Sequence, residues 1–153
     1  MTKEEKDLLL KDLCGRLPYG TKVKCHFDSE PYTLLSINWN KEIVVIGFMM
    51  VDTYVTSKQR LVNIKPYLRP LSSMTEKERK EFLDSVTWED DNGDFHIDEC
   101  MGIGFYQEKY DWLNSHYFDY RGLIEKGLAI EVSEDYKPYK QRSVEHLKKG
   151  GEQ

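Results

Sequence analysis

The chain has 153 residues and a net charge of −5, with 39% hydrophobic and 12% aromatic residues, which suits one globular domain or a domain with an appendage. Disordered chains are poor in aromatic residues, so the composition excludes wholesale disorder. The longest apolar run, residues 43–51, is about half the length of a membrane-spanning helix. Since the N-terminus is charged and lacks a signal-peptide pattern, we expect a soluble, cytoplasmic protein with no membrane partner.

Charge is distributed unevenly along the chain. Residues 1–71 carry a net charge of +3, residues 72–134 of −10 and residues 135–153 of +2. The stretch 84–99 contains seven carboxylates and no Lys or Arg, so it repels a phosphate backbone. It is either a solvated loop, a docking face for a basic partner or a mimic of nucleic-acid charge. The residues that would form the docking face are Asp90, Asp91, Asp94, Asp98 and Glu99.

The N-terminal residues 3–14 have the pattern of an amphipathic helix. Leucines from Leu8 to Leu13 crowd one side, while charged residues, Asp12 among them, supply the polar side. Thr2 and Glu5 form a capping-box pattern, and the following Gly15 predicts the end of the helix. The three cysteines are widely spaced, which favours a reducing compartment, and Cys14 falls on the apolar stripe as a small buried residue.

Period-2 alternation after residue 20 predicts a group of short strands. The strands are expected at 21–27, 32–39, 42–51 and 60–64, with 52–58 as a loop or a short paired segment. The third is apolar at nearly every position, which predicts burial on both faces or strong curvature. Short strands joined by tight turns favour closure into a small SH3-like β-barrel, because closure removes exposed edges. A curled sheet capped by the first helix is the alternative.

The remainder of the chain is predicted to be mainly helical. A capping box at Thr75 and Glu78 begins a helix that continues to about residue 86, and further helices are expected at 105–115 and 120–126. Asn92-Gly93 predicts a hairpin tip, and residues 128–132 a last strand. The fold class is therefore α+β. We divide the chain into residues 1–71 (helix and barrel), 72–134 (an acidic helical subdomain) and 135–153 (a weakly ordered basic tail).

One motif contains metal-ligand residue types. Asp94, His96, Asp98 and Cys100 alternate, so on a strand they would share a face, and His116 or His146 could add a further ligand. A polar strand face or loop is the simpler interpretation, and we expect no cofactor. No phosphate-binding glycine loop or nucleophile motif is present. An enzyme is therefore the less favoured class.

The predicted barrel is more basic than the rest of the chain. Its cations and tyrosines could bind a single-stranded nucleic acid, although solvated strand faces explain the same pattern. The residues of this alternative are Lys22, Lys24, Arg60, Lys65, Arg69, Tyr32, Tyr54 and Tyr67.

Three stretches resemble a known group of sequences. They are residues 1–20, residues 64–76 (Ile-Lys-Pro-Tyr-Leu-Arg-Pro-Leu-Ser-Ser-Met-Thr-Glu) and residues 112–129, which begin Trp-Leu-Asn-Ser-His-Tyr-Phe-Asp-Tyr-Arg-Gly. The chain resembles a family of small uncharacterised proteins of gut Bacteroides and their prophages or mobile elements, with residues 43–60 and 87–108 as its variable parts. The resemblance implies a cytoplasmic accessory protein of a mobile element. It implies no activity, cofactor or catalytic residue.

Three functional hypotheses follow. The first is a non-enzymatic interaction module that binds another protein through the acidic segment or the barrel face. The second is single-stranded nucleic-acid binding by the basic barrel. The third is a metal-dependent enzyme centred on Asp94, His96 and Asp98. The sequence makes no prediction of oligomeric state.

Overall fold

The computed structural model describes residues 1–50, 52–84, 87–89, 91–92, 95–97, 103–133 and 138–139. The helices are α1 (Lys3–Arg16), α2 (Glu76–Asp84) and α3 (Ile103–Ser115). The strands are β1 (Lys22–Cys25), β2 (Pro31–Asn38), β3 (Ile43–Met50), β4 (Thr53–Arg60), β5 (Ile64–Pro70), β6 (Thr87–Glu89), β7 (Phe95–Ile97), β8 (Phe118–Asp119) and β9 (Ile130–Glu131). The α+β class predicted from the sequence is confirmed.

Helix α1 begins with the predicted capping box. The Thr2 hydroxyl accepts a hydrogen bond from the Glu5 amide at 3.1 Å, and the Glu5 carboxylate accepts one from the Thr2 amide at 2.7 Å. The predicted end at Gly15 is wrong, because the helix continues through Arg16 into a 3₁₀ turn. The 3₁₀ turn ends at Gly20, which has a left-handed backbone conformation with φ of 63°.

The buried side of α1 differs from the predicted stripe at two residues. Asp12 and Arg16 are both 0% exposed and continue the buried row of Leu9 and Leu13, whereas Cys14 is exposed. The predictions that Asp12 faces solvent and that Cys14 is buried are therefore wrong. The sequence pattern placed the Asp12 charge in solvent. In the structure that charge is buried and is compensated by an ion pair with Arg16, one helical turn further on.

The sheet has the order β4-β3-β2-β1-β5-β8, and β9 also pairs with β5. The pairings among β1 to β5 are antiparallel, and those of β8 and β9 with β5 are parallel. Among the described residues no pairing joins β4 to β5, so the structure shows a mostly antiparallel open sheet. Barrel closure stays a prediction.

For 52–58 the sequence predicted a loop or a short paired segment, and the structure shows the paired segment, which is longer than expected: β4 runs from Thr53 to Arg60. The expected strand at 60–64 is wrong, because Leu61–Asn63 form a 3₁₀ turn that leads into β5. Strand β4 pairs with β3 over all eight of its residues. The β4 sequence is polar and shows little strand pattern by itself. It forms a strand because its backbone pairs with the apolar strand β3.

The core lies between α1 and the inner face of the sheet. It contains buried side chains of α1, β1, β2 and β3 and of the segment that leads into β5: Leu9, Leu10, Leu13, Val23, Cys25, Tyr32, Leu34, Val44, Ile46, Leu61 and Ile64. A second cluster, formed by Leu68, Leu123, Leu128 and Ala129, joins β5 to the residues before β9. Helix α1 touches both clusters, since Leu8 packs against the second.

The described parts of residues 72–133 agree with the prediction except in one helix and in β8, a strand that was not predicted. The expected hairpin is present as the β6–β7 pair, with Glu89 opposite Phe95. The helix expected at 120–126 is absent, and the segment forms turns instead. The cause is Asp119, whose carboxylate accepts hydrogen bonds from the amides of Leu123 at 2.9 Å and Ile124 at 2.8 Å. A side chain that satisfies these amides competes with the helical backbone pattern.

Tyr139 is one of two described residues in the segment predicted to be a weakly ordered tail, of which the remainder lies outside the described residues. Its hydroxyl accepts a hydrogen bond from the Lys22 amide at 3.2 Å and donates one to the Tyr67 carbonyl at 2.7 Å. Its ring stacks on Tyr117 with centroids 3.6 Å apart. Because Lys22 and Tyr67 are the next residues in the β1–β5 register, the hydroxyl fills the place of a ladder hydrogen bond.

Arg69 and Glu78 tie β5 to the beginning of α2. The two side chains form a bidentate ion pair, with Nη1–Oε1 at 2.7 Å and Nη2–Oε2 at 3.0 Å. The Arg69 guanidinium also lies over the Phe118 ring, 4.3 Å from its centroid. Glu78 accepts further hydrogen bonds from the amide and hydroxyl of Thr75, which confirms the predicted capping box. The Arg69 ion pair and the cap lower the pKa of Glu78 from 4.5 to about 2.

We expect this pair to stabilise the fold most above pH 4.5. A lowered pKa in the folded state gives stability that is lost as the pH falls from 4.5 towards 2. Glu78→Gln should therefore lower the free energy of unfolding by about 1–2 kcal/mol at pH 6, and the difference from wild type should shrink below about pH 4.5. Urea titrations at several pH values measure this. Glu81→Gln, at an exposed ion pair, is the control, and a pH-independent difference for Glu78→Gln contradicts the prediction.

Candidate functional site

The sheet has an apolar surface on the side away from the core. Along β3, Val44 and Ile46 are 0% exposed and belong to the core, while Ile43 and Val45 point to the opposite side and are half-buried. Further along, Met49 is 64% exposed. We call this side of β2, β3 and β4 the outer face. The sequence predicted burial of β3 on both faces or strong curvature of the strand. Of the two faces, the described part of the chain fully buries only the inner one.

A groove of about 510 Å³ lies at one end of the outer face. Its lining residues come from β2, the following turn, β3 and β4: Ser36, Ile37, Asn38, Trp39, Asn40, Lys41, Ile43, Val45 and Lys58. Trp39 is 54% exposed, although an indole usually becomes largely buried in a monomer. The groove therefore combines a large exposed aromatic side chain with an apolar floor.

The turn that carries Trp39 is fixed by local hydrogen bonds. Residues Trp39–Lys41 form a 3₁₀ turn in which the Asn38 side-chain oxygen accepts a hydrogen bond from the Lys41 amide at 3.1 Å. Glu42 follows with a left-handed φ of 50° and accepts a hydrogen bond from the Lys6 ammonium at 2.9 Å. The turn is thus held against α1, and Trp39 projects from an ordered position.

Gly47 shapes the opposite end of the outer face. A Cβ at this position would lie 2.6 Å from the Tyr54 ring and 2.7 Å from the Leu35 side chain. Only glycine leaves room for these two side chains to cover the β3 backbone, an arrangement known from aromatic residues that pack over strand glycines. A register irregularity in β2 between Leu34 and Ser36 lies beside Leu35. With Tyr54 45% exposed, the apolar strip runs from Trp39 to Tyr54.

Cations border this apolar strip. Lys41 and Lys58 line the groove, Arg60 ends β4 beside it, and no carboxylate lines the groove. Within the described ranges, no ion pair or hydrogen bond engages the side chains of Lys58 and Arg60. The outer face is therefore apolar with a basic margin, which complements a segment that carries apolar and acidic side chains.

The structure separates the three tyrosines of the nucleic-acid alternative. Tyr32 and Tyr67 are 7% and 3% exposed and belong to the interior, whereas Tyr54 is on the outer face. The Tyr32 hydroxyl donates a hydrogen bond to the Asp28 carboxylate, which raises the pKa of Tyr32 to about 12. Base stacking needs an open ring face, so Tyr54 alone of the three is available for it.

The predicted cations lie in three different environments. Lys22 donates a hydrogen bond to the Thr33 hydroxyl at 2.6 Å, and Arg69 is engaged with Glu78. Lys24 and Lys65 are exposed and lie opposite each other on β1 and β5, on the border of a second, smaller cavity. Arg60 is on β4, three strands from β1, or about 14 Å across the sheet. The structure therefore does not bring these residues together on one surface.

The remaining predicted residues are only partly described. Asp91 is exposed, while Asp90, Asp94, Asp98 and Glu99 lie outside the described residues. His96 is on β7, where the description is limited to the backbone. His116 packs its ring on Trp112 with centroids 3.9 Å apart, and its Nδ1 lies 2.9 Å from the Trp112 carbonyl oxygen. In the described part of the chain, no group of three or more His, Cys, Asp or Glu side chains is arranged to hold a metal.

A buried polar cluster joins α1 to the segment that follows α3. The Arg16 guanidinium binds the Asp12 carboxylate at 2.6 and 3.0 Å and donates to the Phe118 carbonyl at 2.7 Å. Arg121 Nε lies 3.5 Å from the same carboxylate. Burial raises the pKa of Asp12 and outweighs the opposing effect of Arg16. Because Asp12 and Arg16 are completely buried, this cluster holds elements together and offers no surface to a ligand.

Sequence reasoning missed the groove residues Trp39, Lys41 and Val45. Two signals were available: β3 carries apolar residues on both faces, and a tryptophan occupies the tight polar turn that precedes it. Neither signal is specific by itself, because apolar residues on both faces also fit a central strand. The structure is needed to show that one face is uncovered by the described chain.

Comparison with known proteins gives no match: no family model, no curated protein and no solved structure is significantly similar to this chain. Of the helices that the structure describes, none has the length and hydrophobicity required to cross a membrane.

Proposed function

We propose that the protein is a non-enzymatic interaction module whose outer face binds a protein segment rich in apolar and acidic side chains. The observation that carries the proposal is the apolar side of β3 that the described part of the chain leaves uncovered, with exposed Trp39 and Met49 at its margins. Contiguous exposed apolar surface on a soluble protein marks an interaction site. Tryptophan is also the residue type most enriched among side chains that dominate binding energy.

The charge of the surface determines the class of partner. Lys41, Lys58 and Arg60 surround the apolar strip, and the groove lining holds no carboxylate to compensate them. An acidic segment would therefore gain steering and specificity from these cations and affinity from the apolar floor. Single-stranded nucleic acid is less favoured, since two of its three expected tyrosines are buried and its expected cations are dispersed.

Two further features belong to this proposal. The meander β4-β3-β2-β1, with β5 paired to β1, supports a small SH3-like barrel that stays open between β4 and β5. The resemblance to proteins of Bacteroides mobile elements supports a role as a cytoplasmic accessory protein that acts on a partner of its host or of its element. The metal-dependent enzyme at His96 and Asp98 stays a prediction, which metal analysis of protein purified without chelator would test.

Selection from a phage-displayed random peptide library tests the binding proposal. We expect the selected peptides to be enriched in apolar residues together with Asp and Glu. Trp39→Ala should weaken their binding about tenfold or more, and Lys58→Gln several-fold, as measured by fluorescence polarisation.

The matched controls lie outside the groove. Phe27→Ala removes an aromatic side chain that is 64% exposed, and Lys24→Gln removes an exposed cation on β1, so both should leave binding unchanged. The proposal is contradicted if the selected peptides are not enriched in Asp and Glu, or if Trp39→Ala leaves their binding affinity unchanged. Tight binding of a thymidine oligonucleotide that depends on Lys24 and Lys65 would support the nucleic-acid function instead.

A further inference from the structure

In the described part of the chain, strand β4 forms a free edge of the sheet. It is the terminal strand in the pairing order, and β3 is its only neighbour among the described residues. It is eight residues long, pairs with β3 without a register shift and contains no proline. Natural proteins usually protect such an edge by shortening, bulging or interrupting it, because its free amides and carbonyls pair readily with another strand.

The side chains of β4 on the outer face form a self-complementary series. Within the strand they are Tyr54, Thr56, Lys58 and Arg60, and Asp52 comes two residues before Tyr54, in the turn that joins β3 to β4. If a second copy of this segment is laid antiparallel beside the first with Thr56 opposite Thr56, Asp52 comes opposite Arg60 and Tyr54 comes opposite Lys58. Cross-strand pairs of opposite charge, of threonine with threonine and of a cation with an aromatic ring are all favourable.

We infer that two copies of this chain associate by antiparallel pairing of their β4 strands, with Thr56 at the two-fold axis. Tyr54 then faces Lys58 of the second copy, and Arg60 lies opposite the turn that carries Asp52 of the second copy, so that the two charges attract. A shift by two residues in one direction leaves both Asp52 and Arg60 without an opposite charge. In the other direction it brings Asp52 opposite Lys58, but it leaves Arg60 opposite Met50 and takes the cation away from Tyr54. A shift by one residue would set the outer face of one copy beside the inner face of the other, which period-2 alternation forbids.

The backbone is compatible with this register. Every second residue of β4 directs its amide and carbonyl away from β3. In a pairing with Thr56 opposite Thr56, even-numbered residues face even-numbered residues, and odd-numbered residues face odd-numbered ones. The outward groups of one copy therefore meet the outward groups of the other. The resulting sheet is continuous across the dimer and carries both outer faces on the same side. Lys58 and Arg60 take part in the dimer contacts and also border the groove, whereas Lys41 and Trp39 belong to the groove alone.

Sedimentation velocity of the full chain over a wide concentration range is the first test, and we expect a monomer–dimer equilibrium. Arg60→Asp and Asp52→Arg each create two like-charge contacts in the dimer, and each should weaken association about 30-fold. An equimolar mixture of the two variants should associate again, because every contact then joins opposite charges. Lys80→Glu, an exposed charge reversal on α2, should change nothing.

The register is tested separately by a cross-link. Thr56→Cys in a Cys14→Ser background should give a disulfide-linked dimer under mild oxidation, since the two substituted residues face each other. Ser72→Cys in the same background is the control. A chain that is monomeric at every concentration, a dimer insensitive to both charge variants, or a variant mixture no stronger than its components would overturn the inference.

Discussion

Removal of the Asp12 carboxylate is expected to be more damaging than removal of its partner Arg16. In Asp12→Leu the completely buried Arg16 guanidinium keeps its charge at any accessible pH, since arginine does not deprotonate in proteins. Breaking a buried ion pair in this way costs about 3–5 kcal/mol. In Arg16→Met the remaining carboxylate can take up a proton, and Arg121 still lies nearby.

The pH dependence separates the two variants. Burial already raises the pKa of Asp12, and loss of Arg16 removes the interaction that opposes this rise. A raised folded-state pKa gives stability that is lost as the pH increases through it, so Arg16→Met should recover towards wild type as the pH falls. Asp12→Leu should not recover.

Equilibrium urea unfolding of both single variants and of the double variant Asp12→Leu/Arg16→Met, at neutral and mildly acidic pH, measures these differences. We expect the double variant to be more stable than Asp12→Leu, with a coupling of about 1–3 kcal/mol, because no uncompensated charge stays at position 16. Arg121 is partly exposed and can be solvated. Equal losses in the two single variants at both pH values would contradict this account.

The same ion pair shows what the sequence could predict and what it could not. The α+β class, the first three strands and both capping boxes depend on contacts within a few residues, and their patterns were visible. Asp12 was misplaced because its burial depends on the ion pair with Arg16, and Arg16 in turn donates a hydrogen bond to the Phe118 carbonyl, 102 residues further along the chain. The i, i+4 spacing of Asp12 and Arg16 was a signal, but exposed helix faces contain the same spacing.

Strand β4, predicted only as a loop or a short paired segment, and the segment 120–126, predicted as a helix, show two ways in which the local pattern did not decide the structure. Residues 53–60 have little strand pattern, yet they pair along the whole of β3, so tertiary pairing decided their structure. Residues 120–126 have a helical pattern, yet they form turns, because the Asp119 carboxylate accepts hydrogen bonds from two of their backbone amides. The outer face was unpredictable for a related reason: a sequence shows that β3 is apolar on both sides, but only the packing of α1 selects which side is covered.

Tyr139 gives the second prediction with a large effect. Its hydroxyl bridges the Lys22 amide and the Tyr67 carbonyl, and burial raises its pKa. In Tyr139→Phe both backbone groups lose their partner, which should lower the free energy of unfolding by about 1–2 kcal/mol. Tyr139→Ala also removes the ring stacked on Tyr117, so a total loss of about 3 kcal/mol is expected.

The control for this prediction is Tyr110→Phe, since the Tyr110 side chain is 49% exposed on α3 and its substitution should change stability by less than about 0.5 kcal/mol. Urea unfolding gives the free energies, and amide hydrogen exchange at Lys22 reports the bridge directly. Exchange at Lys22 should accelerate in Tyr139→Phe and stay unchanged in Tyr110→Phe. If Tyr139→Phe is as stable as Tyr110→Phe, the hydroxyl does not complete the β1–β5 ladder, and the residues near the C-terminus are not held to the sheet by this bridge.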